Sequence, residues 1–216
     1  NEGEGWPHAI VAYADFTVED VRPQLDKLAK HSLVRGIRQQ LHWHPEPAFR
    51  FAPHGGLPAD PTVRRNIAHL AQYGWSFDLQ VFEQQMADAA GLADSCGDVT
   101  FVLQHAGMLA ERTKAARRNW EHGMLRLAKC PNMCVKLSAF GTFSHKNNPR
   151  FIADMVRTTV DMFGAERCMY GSNFPIEKLW TDYRSLFAAF QKAASKLGKK
   201  QQQAIFNDTA ARVYRL

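Results

Sequence analysis

The feature that most limits the folds open to this chain is a regular alternation of two hydrophobic periods. Short apolar runs lie at 8–14, 33–41, 75–82, 99–103, 133–137 and 168–171. Each gives way to a stretch with helical spacing, at 18–28, 62–72, 84–95, 117–129, 149–163 and 181–197, and a terminal helix is predicted over 200–213. Strand followed by helix, repeated along the chain, predicts a parallel sheet, because parallel neighbours need a crossover between them. The runs are apolar on both faces, as buried parallel strands are and one-sided antiparallel strands are not. Thr17 reads as the N-cap of the first helix and Gly74 as the C-terminal stop of the second.

Two architectures share this alternation: a doubly wound sheet and a barrel. The polar residues separate them. Asp15, Arg38, Gln40, Asp78, Gln80, Gln104, His105, Lys136, Ser138 and Asn173 fall at the C-terminal ends of nearly every run. A barrel distributes functional groups in this way, whereas a doubly wound sheet gathers them at one switch point behind a Gly-rich first turn. Neither G-x-G-x-x-G nor G-x-x-x-x-G-K-[ST] occurs, so no nucleotide site is expected. The reading is an α/β chain of TIM (β/α)8 type. A full barrel takes about 250 residues, and 216 residues with six units hold roughly the last six. The expectation is a single barrel domain over 1–216 whose first strands lie upstream of Asn1.

Composition excludes several classes of partner. The 27 basic and 21 acidic residues give a net charge of +6. The basic residues are spread, with small knots at Arg112-Lys114-Arg117-Arg118 and Lys196-Lys199-Lys200 that read as solvated helix faces, so no nucleic-acid partner is expected. No apolar run reaches the length of a membrane helix. Cys96, Cys130, Cys134 and Cys168 form no C-x-x-C pair and have no histidine at finger spacing, so they read as reduced, buried thiols of a cytoplasmic protein. A homo-oligomer is left open.

Five segments in order carry a family likeness: Val34-Arg35-Gly36-Ile37-Arg38, Phe101 through Gly107, Val135-Lys136-Leu137-Ser138, Glu166 through Pro175, and Asn207 through Tyr214. Together they resemble the amidohydrolase-related family of TIM-barrel hydrolases, and most of all its branch of sugar lactonases and 2-pyrone-4,6-dicarboxylate lactonase. The resemblance implies an H-x-H pair on a first strand, which has no counterpart here and agrees with the missing units. It also implies Asp-His-x-Gly at one strand end, where this chain has Gln104-His105-Ala106-Gly107, and G-S-D-x-P at the last, where this chain has Asn173.

The resemblance implies hydrolysis of a small lactone or related ester, with a small molecule as substrate. Such a reaction needs a group that polarises the carbonyl, a group that orients or deprotonates water, and groups that hold the substrate. His105 and Asn173 are the candidate catalytic residues, with His105 polarising the carbonyl or carrying a proton. Asn173 has no useful pKa and can only orient a water or a hydroxyl, so the base comes from His105 or from upstream. Arg38, Gln40, Asp78, Lys136 and Ser138 are the candidate substrate-binding residues. Arg38 offers a planar fork for oxygen pairs. Lys136 and Ser138 share one strand face, with Asp78 the natural counter-ion of Lys136.

His42-x-His44 has metal-pair spacing but sits in the wrong unit, so both read as loop histidines at the pocket mouth. No metal ligand is assigned and no cofactor is expected, with a divalent ion such as zinc as the alternative. The loop 49–56 is a candidate lid. The competing readings are a metal-dependent decarboxylase or amide hydrolase of the same barrel, and a non-catalytic binding barrel. Arg38, His105 and Asn173 are expected to converge on one pocket.

Overall fold

The computed structural model describes residues 7–216. Six strands, β1 (Ile10–Ala12), β2 (Val34–Ile37), β3 (Ser76–Leu79), β4 (Phe101–Leu103), β5 (Met133–Leu137) and β6 (Cys168–Tyr170), form one sheet. Their spatial order is their sequence order, and every neighbouring pair is parallel. A doubly wound sheet reverses its strand order at a switch point. This sheet never does, and it curls as part of a TIM barrel.

The helices are α1 (Arg22–Ala29), α2 (Pro61–Ala68), α3 (Leu70–Tyr73), α4 (Met86–Ser95), α5 (Lys114–Ala128), α6 (Pro149–Phe163), α7 (Tyr183–Ala194), α8 (Lys199–Gln203) and α9 (Thr209–Tyr214). Side chains alternate along each strand, so the sheet has two distinct apolar faces. Phe77, Leu79, Phe101, Leu103, Met133 and Val135 belong to the large core with Leu25, Ile67, Leu92, Trp120, Val156 and Phe190 of the helices. Each such fully buried side chain contributes about 1.5–3 kcal/mol. Their strand neighbours Val102, Cys134 and Met169 form a separate small cluster, packed by Ala210, Val213 and Tyr214. The terminal helix α9 therefore covers the inner face of the sheet, opposite the main helical layer. Thr209 and Arg212 tie it to the carbonyl of Glu166, ahead of β6.

Between β2 and β3 the backbones meet closely. A Cβ on Gly36 would stand 2.4 Å from Ser76 Oγ and 2.9 Å from its carbonyl oxygen.

Several local expectations are corrected. Thr17 does not cap a helix: its hydroxyl donates to Asp15, and α1 begins only at Arg22, whose amide is held by Asp20. β2 ends at Ile37 rather than at 41: the Arg38 amide still donates to the Ala12 carbonyl at 2.8 Å, but beyond it Gln39 turns to bond Asp15 and the amide of Phe16. α5 starts earlier than expected, at Lys114, with Thr113 capping Ala116. α7 starts two residues late, with Asp182 capping Ser185. The terminal helix is broken by a wider π turn at Ala204–Asp208.

All four cysteines are free and buried. Burial pushes the Cys130 thiol up to about 11, which leaves it a poor nucleophile near neutrality. Among the described residues no helix is long and apolar enough to cross a membrane.

Candidate active site

Because all six strands run in one direction, the residues that follow them come out on one rim. The backbone there is unusual. His105, Ala106 and Met108 after β4, Ala139 after β5 and Asn173 after β6 all have φ between 46° and 59°. Left-handed backbone costs a non-glycine residue roughly 1–2 kcal/mol, and such residues gather where a fold aims side chains. The strain here falls at the ends of three successive strands.

The centre of the rim is Asp78, which is 0% exposed. Its Oδ2 accepts from Arg38 Nη2 at 2.6 Å and from Lys136 Nζ at 3.3 Å. Its Oδ1 accepts from the Tyr214 hydroxyl at 3.2 Å. Arg38 also donates to Gln104 Oε1 at 2.6 Å. The expected Lys136–Asp78 pair is present, and Arg38 shares the same carboxylate. Burial pushes the Lys136 ammonium down while Asp78 pulls it back up. Gly171 makes room for this lysine, since a Cβ there would stand 2.9 Å from two carbons of its stem.

His105 stands beside this network. Its Nδ1 lies 2.8 Å from the hydroxyl of Ser138, which is buried. Desolvation, with the positive charges of Arg38 and Lys136 behind it, pushes the His105 pKa down to about 3. The ring is therefore neutral near pH 7. Gln40 is exposed and lines an open cavity of about 340 Å³ with Arg38, Val11, Ala12 and Tyr13.

Asn173 stands apart from the other candidates. Its Nδ2 faces Glu177 Oε1 at 3.4 Å, and its connection to the rest runs through the loop after β5, where Thr142 shares that carboxylate. The structure joins Arg38 to Asp78, Lys136 and Gln104, and His105 to Ser138. Among the described residues no hydrogen bond joins Asn173 directly to Arg38 or His105.

Two residues, Tyr214 and Glu177, and one contact, that of Gln104 with Arg38, escaped sequence reasoning. Tyr214 reaches Asp78 across 136 positions, and no local pattern announces that. Gln104 was legible as a strand-end polar residue but not as the second anchor of Arg38. Glu177 lies four residues past Asn173, on a turn rather than at a strand end.

The loop expected to act as a lid is tied down. Gln85 holds the amide of Trp43 and the carbonyls of Leu41 and Gly55. His42 and His44 both pack against Phe82. His44 Nδ1 accepts from the amide of Glu46. His42 is 4% exposed and its Nδ1 has no partner. Among the described residues no three His, Cys, Asp or Glu side chains are grouped to hold a metal ion. The donor set of these residues alone does not fit a resident metal.

Burial pushes the His42 pKa down to about 4. This gives a stability prediction. The unfolded chain takes up a proton near pH 6.5, while folded His42 resists until about pH 4. Stability conferred by the neutral ring is present above pH 6.5 and is lost as the pH falls toward 4. The full gap is worth on the order of 3 kcal/mol. Thermal unfolding followed from pH 7 to pH 4 should show a falling Tm, and His42→Phe should make that fall shallower. An unchanged slope in His42→Phe would contradict it.

Comparison with known proteins places the chain. A family profile described as amidohydrolase matches residues 2–216. An uncharacterized protein, y4mH of Sinorhizobium fredii, is 34% identical over 212 residues, covering 98% of this chain and 71% of that protein. An L-fucono-1,5-lactonase of Burkholderia multivorans is 29% identical over 213 residues, covering 92% of this chain and 70% of the enzyme. The crystal structure of an amidohydrolase from Burkholderia multivorans with bound zinc superposes with a TM-score of 0.83 at 27% identity, covering 99% of this chain and 75% of that one.

Proposed function

The chain belongs to the amidohydrolase family, and we propose that it hydrolyses a six-membered lactone of the sugar-acid type by attack of water on the ring carbonyl. The observation that carries this reading is His105, whose Nδ1 lies 2.8 Å from the Ser138 hydroxyl, beside the Arg38–Asp78–Lys136 cluster. With the Ser138 hydroxyl donating to Nδ1, the Nε2–H of His105 is the donor that meets the carbonyl oxygen. A neutral imidazole can polarise a carbonyl without first gaining a proton. The two cations on one carboxylate leave a net positive charge nearby, which favours the developing oxyanion.

The water oxygen bonds to the carbonyl carbon, the ring C–O bond breaks, and the departing oxygen takes a proton to give a hydroxy acid. Asn173 orients the water or a substrate hydroxyl and takes no proton itself. With His105 acting as a donor, the proton lost by the attacking water reaches the departing ring oxygen through a group other than these two, so that one water is consumed and no proton is left over. The lactonase name of a relative at modest identity supports the substrate class.

The test is a panel of five- and six-membered lactones offered to the protein as its gene encodes it, with aromatic and aliphatic carboxylic acids alongside. Ring opening well above the spontaneous rate on six-membered sugar lactones is expected. Carbon dioxide release from an acid, with no lactone opened, would favour the decarboxylase reading instead.

A further inference from the structure

Glu177 is 0% exposed, and its carboxylate is enclosed by neutral donors. Oε2 accepts from Trp180 Nε1 at 2.6 Å, and Oε1 accepts from Thr142 Oγ1 at 3.1 Å and from Asn173 Nδ2 at 3.4 Å. The backbone keeps it there. Its amide donates to the Asn173 carbonyl at 3.2 Å, and its own carbonyl accepts from the amides of Trp180 and Thr181. Across from it, Gly141 gives the necessary clearance, since a Cβ would stand 2.9 Å from Oε2 and 2.5 Å from Trp180 Nε1. The loops after β5 and β6 are thus clasped through one carboxylate.

A side-chain amide has a donor end and an acceptor end, and a carboxylate oxygen accepts only the donor. We infer that Glu177 is the positioning residue of Asn173: it takes the NH2 end of the amide and so turns Oδ1, an acceptor, to the rim. Asn173 then offers a fixed acceptor to a group that carries hydrogen, the attacking water or a hydroxyl of the substrate. What Asn173 meets there rests on the lactonase reading, but the clasp itself does not.

The clasp also explains why this chain does not simply want an aspartate at 173. Two carboxylates within 3.4 Å of each other cannot both ionise easily, and one holds its proton to higher pH. Tyr170, whose hydroxyl is pushed up by burial and also by Tyr183 and Glu177, and His145, stacked on Trp180, are the nearby titratable groups. His145 is present in every variant, and Tyr170, held above the ordinary tyrosine range, does not titrate between pH 4 and pH 7 whether or not Glu177 is present.

The experiment uses Asn173→Asp, Glu177→Gln and the double variant, with thermal unfolding across pH and steady-state kinetics on the lactone. In Asn173→Asp the Tm measured relative to wild type should fall as the pH rises from about 4 to about 7, since the folded carboxyl pKa is raised and its stability is lost on deprotonation. The double variant, which like wild type has one acid and one amide, should lack that fall. Glu177→Gln frees the amide to turn and should lower kcat about tenfold with KM little changed. A Tm profile of Asn173→Asp parallel to wild type would overturn the clasp. An unchanged kcat in Glu177→Gln would overturn its positioning role. Absence of lactone turnover in the wild type, with the Tm signature intact, would sink the lactonase reading and leave the clasp standing.

Discussion

His105→Ala is expected to lower kcat on the lactone by at least about 100-fold, the typical loss when a transition-state hydrogen-bond donor is removed. Desolvation and the neighbouring cations keep the His105 ring neutral down to about pH 3, so it acts as a hydrogen-bond donor across the working pH range. Ser138 at 2.8 Å fixes its orientation, so no reorganisation is needed as charge develops on the carbonyl oxygen. The loss should appear in kcat and in kcat/KM together, because the bond is strongest in the transition state. His105 has φ 57°, a conformation alanine accepts at a cost of roughly 1–2 kcal/mol. His105→Asn, which suits left-handed backbone better, is the companion that separates lost chemistry from lost stability. A His105→Ala enzyme with near-normal turnover and a native circular dichroism spectrum would remove this residue from the mechanism.

Asp78→Ala is expected to be the most destabilising single change at the site. Asp78 is fully buried and its carboxylate receives Arg38, Lys136 and Tyr214. Removing it strands the Lys136 ammonium, whose side chain is only 17% exposed, and leaves the half-buried Tyr214 without its acceptor. Breaking a buried ion pair from one side typically costs about 3–5 kcal/mol. Denaturant unfolding of Asp78→Ala should show a loss of that size. Adding Lys136→Met should return much of it, because the uncompensated charge leaves with the lysine. A loss below about 1 kcal/mol in Asp78→Ala would contradict the picture of Asp78 as the anchor of both cations.

The parallel architecture was legible because it depends on local periods. The apolar run 99–103 reads as a strand and holds β4, and α6 reads as a helix from the apolar spacing over 149–163. The rim was legible for a related reason: in a parallel barrel a polar residue just past a strand must emerge on one side. The Asp78–Lys136 pair followed from the cost of an inward-facing ammonium. What stayed hidden is long-range or competitive. Thr17 has the chemistry of a helix cap, but Asp15 two residues earlier captures its hydroxyl. Tyr214 reaches Asp78 only because α9 folds onto the inner face of the sheet, a placement no helical period encodes. Glu177 looks like any surface glutamate in sequence, and its burial arises from the turn that packs Trp180 and Thr142 around it.

The most direct measurement of the central claim, that the strand-end rim is where the reaction occurs, is a crystal structure with a non-hydrolysable lactam analogue of the six-membered lactone. The ring carbonyl oxygen should lie about 3 Å from His105 Nε2, the distance of a good hydrogen bond, with Arg38 close by and Asn173 Oδ1 facing the side from which water attacks. An analogue seated elsewhere, for example in the groove of about 450 Å³ between α6 and α7 lined by Val156, Ala189 and Leu197, with the rim empty, would contradict it.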